Sequence, residues 1–278
     1  MEEKKIPPRV PLKVMSFNIA HGLSMDGTVN LENAARIIEE SGAEIIGLQE
    51  LDRYFTERSS FMDQVEWLSS RLGMYAAFGA NINLQPVEAE RPNRQYGNAV
   101  LSKYPIKYIE NHLLTQVPSP IVHDEQRGIL ETIIEVRGTY VSFFNTHLAL
   151  KDEELRVSID ELLAITAKSR FPKIITGDFN APPSHPEIER LATQFTDVFA
   201  QLNKGQAYTY PSVYENKETG EQHQPVTRID YIFSDQHLEV FGGSVIETSV
   251  SDHLPITAEL VLARTAQPIM ALPTTAKV

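Results

Sequence analysis

Leu12-Lys13-Val14-Met15-Ser16-Phe17-Asn18 and, further on, Ile45-Ile46-Gly47-Leu48-Gln49-Glu50 carry the strongest fold signal in this chain. Each is an apolar run closed by a polar side chain, which reads as a buried strand, here over residues 12–17 and 45–48. Between them, Leu31, Ala34, Ala35 and Ile38 fall at i, i+3, i+4 and i+7, one face of a helix. Asn30 is placed to cap that helix and Gly42 to close it. Strand, helix and strand in this order make a βαβ unit, whose crossover is right-handed.

Outward from this unit, Phe61, Val65, Leu68 and Leu72 mark a second amphipathic helix. Ser60 and Asp63 stand where a capping box would, Gly73 closes the helix, and its apolar face is expected to pack on the core. Residues 97–103, 106–114, 128–136 and 140–146 read as consecutive strands of an antiparallel run. Leu155, Ile159, Leu162, Leu163 and Thr166 mark a third helix, and residues 173–176 a buried strand running into Gly177-Asp178. A polar loop over 203–227 precedes strands at 229–234, 238–245 and 256–262. No linker divides the chain, so one domain is expected over 12–263, with an N-terminal extension at 1–11 and a frayed tail at 264–278. Ser16-Phe17-Asn18 and Asp178-Phe179-Asn180 echo each other at two strand ends, a weak sign of a duplicated half.

Composition narrows the chemistry. The chain has 278 residues, 42% of them hydrophobic and 22% charged, an ordinary globular balance. It has no cysteine, which excludes disulfides, thiolate zinc sites and a cysteine nucleophile, so any metal rests on oxygen and imidazole. No window offers the ~20 apolar residues of a membrane-spanning helix. The start does not read as a signal peptide, and a cytoplasmic protein is expected. Lys plus Arg number 25 against 37 Asp plus Glu, a net charge of −12. That balance disfavours a basic nucleic-acid coat, although a nuclease can recruit divalent cations to its substrate.

The strand ends collect the reactive side chains. Asn18 and Glu50 end the first two strands, His147 and Asp178 with Asn180 end later ones, Asp230 begins one, and Asp252-His253 precede the last. Ligands bind outside the carboxyl ends of parallel strands, and antiparallel neighbours begin at that same edge, so these groups are expected in one crevice. Four carboxylates held together repel, and a hard cation removes that cost; Mg²⁺ or Mn²⁺ prefers such oxygens and polarises phosphoryl groups. Each residue taken alone has a plainer reading as a strand-end turn, a solvated acid or a satisfied histidine.

Taken together, seven local texts in order resemble the endonuclease/exonuclease/phosphatase superfamily. They are M-S-F-N-I at 15–19, I-G-L-Q-E at 46–50, Y-G-N-A-V-L-S at 96–102, N-T-H-L at 145–148, T-G-D-F-N-A-P at 176–182, R-I-D-Y-I-F at 228–233 and S-D-H-L-P-I at 251–256. The resemblance implies a four-layer α/β sandwich, two packed mixed β-sheets flanked by helices. It also implies Mg²⁺- or Mn²⁺-dependent hydrolysis of phosphate esters. Carried over by position, Glu50 resembles the main metal carboxylate, with Asn18 and Asp252 completing or supporting it and Asp178 and Asn180 close to the ion. Asp178 is similar to the aspartate that orients or deprotonates the attacking water, and Asn180 to the amide that holds phosphate or nucleophile. Asp230 and His253 resemble the family's carboxylate–imidazole pair. His147 matches the histidine that contacts phosphate or protonates the leaving oxygen, and Arg127 is a candidate phosphate clamp.

The branch-specific texts differ. Apurinic-site endonucleases place Thr-Lys after the metal glutamate, where this chain has Leu51-Asp52-Arg53. Inositol polyphosphate 5-phosphatases carry Trp before Gly-Asp and Tyr-Arg after Asn; here Thr176 and Ala181-Pro182 stand there. L-Q-E-L-D-R is most similar to bacterial metal-dependent hydrolases and their lipid-remodelling relatives. The expected activity is a phosphodiesterase or phosphatase on a small-molecule or lipid-headgroup ester, with loops 80–95 and 203–227 framing the pocket. Alternatives are a DNase I-like endonuclease or exonuclease, which needs Arg53, Arg91 and Arg94 on one rim, and an inactive binding module on the same fold.

Overall fold

Strand β1 (Arg9–Asn18) alternates in exposure over its first half and is buried on both faces from Val14 onward, the burial of a strand at the centre of a layered core. In the computed structural model, which describes residues 9–118, 125–216, 219–220 and 222–263, it is followed by α1 (Leu31–Ser41), β2 (Ile45–Arg53), α2 (Gln64–Leu72), β3 (Tyr75–Leu84) and β4 (Arg94–Ser102). Next come β5 (Ile106–Leu113), β6 (Gly128–Val136), β7 (Thr139–His147), α3 (Asp152–Lys168), β8 (Lys173–Asp178), α4 (Pro186–Ala192), β9 (Thr196–Asp197) and the single turn α5 (Val198–Gln201). The short β10 (Tyr214–Glu215) and β11 (Gln222–His223) pair with each other before β12 (Asp230–Ser234), β13 (Leu238–Val245) and β14 (Ile256–Ala263). The expected tail at 264–278 and residues 1–8 of the expected extension lie outside the described residues; Arg9, Val10 and Pro11 already pair with Ala263, Leu262 and Val261.

Two six-stranded mixed sheets result, in the orders β13-β14-β1-β2-β4-β3 and β5-β6-β7-β8-β12-β9. Each contains a single parallel pair, β1 with β2 and β7 with β8, flanked by antiparallel neighbours. Val14, Ile45, Val100, Leu130, Phe143 and Ile232 fill the space between the sheets. Phe17, Ala35, Ile38, Leu48 and Leu68 join the first sheet to α1 and α2, while Phe144, Ile159, Leu162, Ile175 and Leu191 join the second to α3 and α4. Helices, sheet, sheet and helices make the four-layer sandwich, because each sheet has two apolar faces to cover. Among the described residues no helix is long and apolar enough to cross a membrane.

Several elements depart from the sequence reading. The middle strands do not form one meander: β4 joins the first sheet and β5 the second, so the chain changes sheet between Ser102 and Ile106. Strand β3 was not expected, since Ala, Gly and Asn in Y-A-A-F-G-A-N-I-N-L have low strand propensity; pairing with β4 along its length holds it there. It and β4 absorb both ends of the expected 80–95 loop. Helix α4 was also missed, although His185 and Pro186 mark its start. Ser60 is no part of a capping box: it adopts φ 54°, and Asp63 caps α2 alone by accepting from the N–H groups of Val65 and Glu66. For α1, Asn30 and Gly42 cap as expected, Gly42 at φ 69°.

The two βαβ units, β1-α1-β2 and β7-α3-β8, occupy matching places in the two sheets. In chain order β1 corresponds to β7, so the echo between residues 16–18 and 178–180 links strands that are not equivalent in this sense.

Candidate active site

The carboxyl ends of both parallel pairs open at one edge of the sandwich. Asn18 ends β1, His147 ends β7 and Asp178 ends β8; in register, Asp178 faces His147 on one side and Asp230 on the other. Glu50 reaches the same edge by a different device. Leu48 pairs with Ala99 and Leu51 with Gly97, so Gln49 and Glu50 together oppose Asn98. This is a β-bulge, and Glu50 sits in it at φ 64°, which turns its side chain off the regular pleat. The sequence reading ended this strand at Leu48, whereas it continues through the bulge to Arg53.

A chain of hydrogen bonds joins these groups. Asn18 Nδ2 donates to Glu50 Oε1 and to Asp178 Oδ2, both at 3.1 Å, and thereby ties the first sheet to the second. Its Oδ1 accepts from Ala20 N–H. His253 Nδ1 lies 3.0 Å from Asp230 Oδ2, and its Nε2 lies 3.5 Å from Asp178 Oδ2. His147 Nε2 lies 3.4 Å from Asp178 Oδ2 and 3.1 Å from Asn180 Nδ2. Asn180, at φ 52°, donates its backbone N–H to Asp178 Oδ1 and its side chain to Leu148 O. Asn tolerates this left-handed conformation better than most residues. Asp252 is placed by Ser251, whose Oγ lies 2.7 Å from Asn18 O and 3.2 Å from Asp252 Oδ1. Asn18, Glu50, Asp178, Asn180, His147, Asp230, His253 and Asp252 therefore gather at one edge. Arg127 is buried, with its Nη1 2.6 Å from Glu125 Oε1.

Burial pushes the Asp178 carboxyl up to about 7; the charge of Asp230 adds to this, while His253 and the bonds from Asn180 and Asn18 oppose it. For His253, burial alone would disfavour the imidazolium, yet Asp230 and Asp178 outweigh it and raise the ring to about 10. His147 has no such carboxylate advantage: burial first, then Arg127 and His253, hold it well below its ordinary value, so it is neutral. Burial also raises Glu125 beside Arg127. The site thus holds one cationic and one neutral imidazole.

The donor set suits a hard cation. Oxygen donors predominate, buried Asp230 Oδ1 has no hydrogen-bond partner among the described residues, and Asp178 carries an electrostatic cost that a divalent ion would relieve. Asp178, Asp230 and His253 each bring a donor atom within 4.8 Å of the others, a group that could hold an ion with the His253 ring deprotonated.

Some contributors escaped the sequence reading. Asn145 was noted only as part of a motif, yet its Nδ2 donates to Leu48 O and Ala99 O beside the bulge. Its Oδ1 accepts from Gln49 Nε2 at 2.6 Å and from Thr176 Oγ1 at 3.1 Å. Amides within apolar strand text were the available signal, because a buried amide requires partners. Tyr210 lies within the polar loop over 203–227, which gave no sign of its place; its ring lies 4.9 Å from that of His253.

Two mixed sheets in a four-layer sandwich thus carry a carboxylate–amide–imidazole cluster at one edge. The chain belongs to the endonuclease/exonuclease/phosphatase family, matching it over residues 15–253, and members of this family are generally metal-dependent phosphoesterases. It is similar to the uncharacterised protein YbhP of Escherichia coli K12, 23% identical over 268 residues, covering 90% of this chain and 96% of that one. An endonuclease/exonuclease/phosphatase structure from Beutenbergia cavernae superposes with a TM-score of 0.73 at 22% identity, covering 91% of this chain and 72% of that one. The mannosyl-6-phosphatase Bt3783 of Bacteroides thetaiotaomicron does so at 0.68 and 18% identity, covering 90% and 99%. At such identities the structural likeness establishes the fold.

Proposed function

We propose that the protein is a Mg²⁺- or Mn²⁺-dependent hydrolase of small phosphate esters, a phosphodiesterase or phosphatase acting on a small molecule or lipid headgroup. The observation that carries this reading is the linkage of Glu50, Asn18, Asp178, His253 and Asp230 across both sheets. Glu50, with Asp252 and the Asp178–Asn180 side, would hold the ion, and Asn18 supports that group through its N–H bonds. When bound, the ion supplies charge neutralisation at the phosphoryl and leaving oxygens.

The residues themselves do the rest. Asp178 accepts a proton from the attacking water as the water oxygen bonds to phosphorus. The bond from phosphorus to the alcohol oxygen breaks with its electron pair going to that oxygen, which takes a proton from solvent water, and Asp178 returns its proton to solvent when product leaves. Cationic His253, fixed by Asp230, holds the anionic phosphate, while Asn180 and neutral His147 line the same position. Arg127, which is paired with Glu125 and whose charge acts on His147, would serve as a second clamp.

A small ester is favoured over a nucleic acid because the candidate rim arginines are engaged. Arg53 pairs with Asp63 at 2.8 Å and Arg91 with Glu88 at 3.0 Å, and Arg94 donates to Gln85 O. The net charge of −12 points the same way. The test is a panel of phosphomonoesters, phosphodiesters and supercoiled plasmid, with Mg²⁺ and with Mn²⁺. Metal-dependent release from small esters is expected. Efficient plasmid nicking at low enzyme concentration would replace this reading with the nuclease, and inertness toward every ester would leave only a binding module.

A further inference from the structure

We propose that Tyr210 contacts the substrate: its ring walls one face of the His253 imidazole, and its hydroxyl donates a hydrogen bond to a non-bridging oxygen of the scissile phosphate. This rests on the phosphoester reading above. The ring centroids of Tyr210 and His253 are 4.9 Å apart with the planes tilted by 50°. Tyr210 remains 37% exposed, so the ring forms a wall of the crevice and not part of the core.

The segment that carries it is built to hold one position. Tyr210 bridges to Thr227, exchanging backbone hydrogen bonds with it, three residues before β12 begins at Asp230. Fully buried Thr209 accepts through Oγ1 from the N–H groups of Ile229 and Asp230, and its carbonyl accepts from Leu254 N–H. Fully buried Ser212 donates its N–H to Asp252 O and its hydroxyl to Ser251 O. The tyrosine is therefore pinned on one side to the Asp230 strand and on the other to the Asp252-His253 turn. A ring held in this way does not need to be ordered again when substrate arrives.

The hydroxyl is the informative atom. Tyr231 donates its hydroxyl to Ala181 O and Tyr104 donates to Glu44, but among the described residues the Tyr210 hydroxyl has no partner. A phenol is protonated at neutral pH. A protonated donor on the ring that lies against His253, with no acceptor of its own, is suited to an anionic phosphate oxygen held there. On the other side, the ring excludes water from one face of the imidazolium, which strengthens its hold on the same phosphate.

Tyr210→Phe removes only the hydroxyl, and Tyr210→Leu removes the aromatic wall as well. Hydrolysis of bis-p-nitrophenyl phosphate is measured with saturating Mg²⁺, and inorganic phosphate binding is measured by calorimetry on the same proteins. The phenylalanine variant is expected to bind phosphate about tenfold more weakly and to lose about ten- to a hundredfold in kcat/KM, the range for a hydrogen bond to a charged group. The leucine variant is expected to lose more, the additional loss falling in kcat. Wild-type phosphate affinity and kcat/KM in Tyr210→Phe would overturn the proposal. A wild-type protein that binds phosphate but turns over no ester sinks the hydrolase reading alone, and the phosphate comparison then decides Tyr210. A wild-type protein that does neither overturns both.

Discussion

Glu50 occupies a left-handed backbone position at φ 64° that glycine would adopt without penalty, so whatever retains a glutamate there is not local stability. Glu50→Gly is expected to leave thermal stability unchanged or slightly raised, by about 1 kcal/mol, while metal-dependent hydrolysis is lost. Glu50→Gln keeps the shape and the bond from Asn18 but removes a negative ligand. Mg²⁺ affinity, read by calorimetry, should fall, and activity should recover partly as the metal concentration is raised. A solvated strand end would show neither effect. His253 and Asp230 form the other residue-scale unit, 3.0 Å apart and buried. His253→Ala and Asp230→Asn should each lower kcat by at least ~10²-fold, with folding intact by circular dichroism, and the double variant should be little worse than the worse single one. Multiplying losses would mean two independent roles.

At the scale of the element, the β-bulge in β2 is held from below. Asn145 on β7 reaches across the sandwich to the carbonyls of Leu48 and Ala99, which flank the bulge, while Gln49 and Thr176 complete its amide. Gly47 makes that approach possible: a Cβ there would lie 2.2 Å from Thr176 Oγ1 and 2.6 Å from Asn145 Oδ1. Gly47→Ala should therefore destabilise by about 1–3 kcal/mol, the range for overpacking, as read by urea unfolding. Asn145→Ala removes an amide that makes four buried hydrogen bonds and should destabilise by about 1–3 kcal/mol or more. It should also weaken Mg²⁺ binding through Glu50, which a purely structural defect elsewhere in the core would not do. This network was only half legible in the sequence. The amides stand in plain view as Gln49 and Asn145, but their partners lie 96 and 97 residues away along the chain. The cap of α1, decided by neighbouring residues, was readable at Asn30 and Gly42.

At the scale of the whole molecule, both sheets repeat one pattern, a central parallel pair between antiparallel flanks, and the site lies where the two parallel pairs end together. Acidic side chains from both sheets meet there, so the ion should act as a staple between them. At about 100-fold excess over its Kd, Mg²⁺ is expected to stabilise the fold by roughly 2.7 kcal/mol, raising Tm by several degrees. EDTA should reverse the rise, and Glu50→Gln should shrink it; a Tm indifferent to Mg²⁺ in the wild type would count against an ion held by both sheets. Strand text such as L-K-V-M-S-F, helical spacing in α1 and the polar residue closing each strand are local properties. Periodicity and side-chain chemistry act over a few residues, so the βαβ unit and the polar residues that close the strands were readable before any coordinates, while the four-layer class rested on the resemblance of seven local texts to a family. Which sheet β4 and β5 enter, the existence of β3, the bulge that aims Glu50 and the placing of Tyr210 against His253 were decided by pairing between distant segments. No local pattern contains that information, because a strand of low propensity or a residue at positive φ persists only where tertiary contacts hold it.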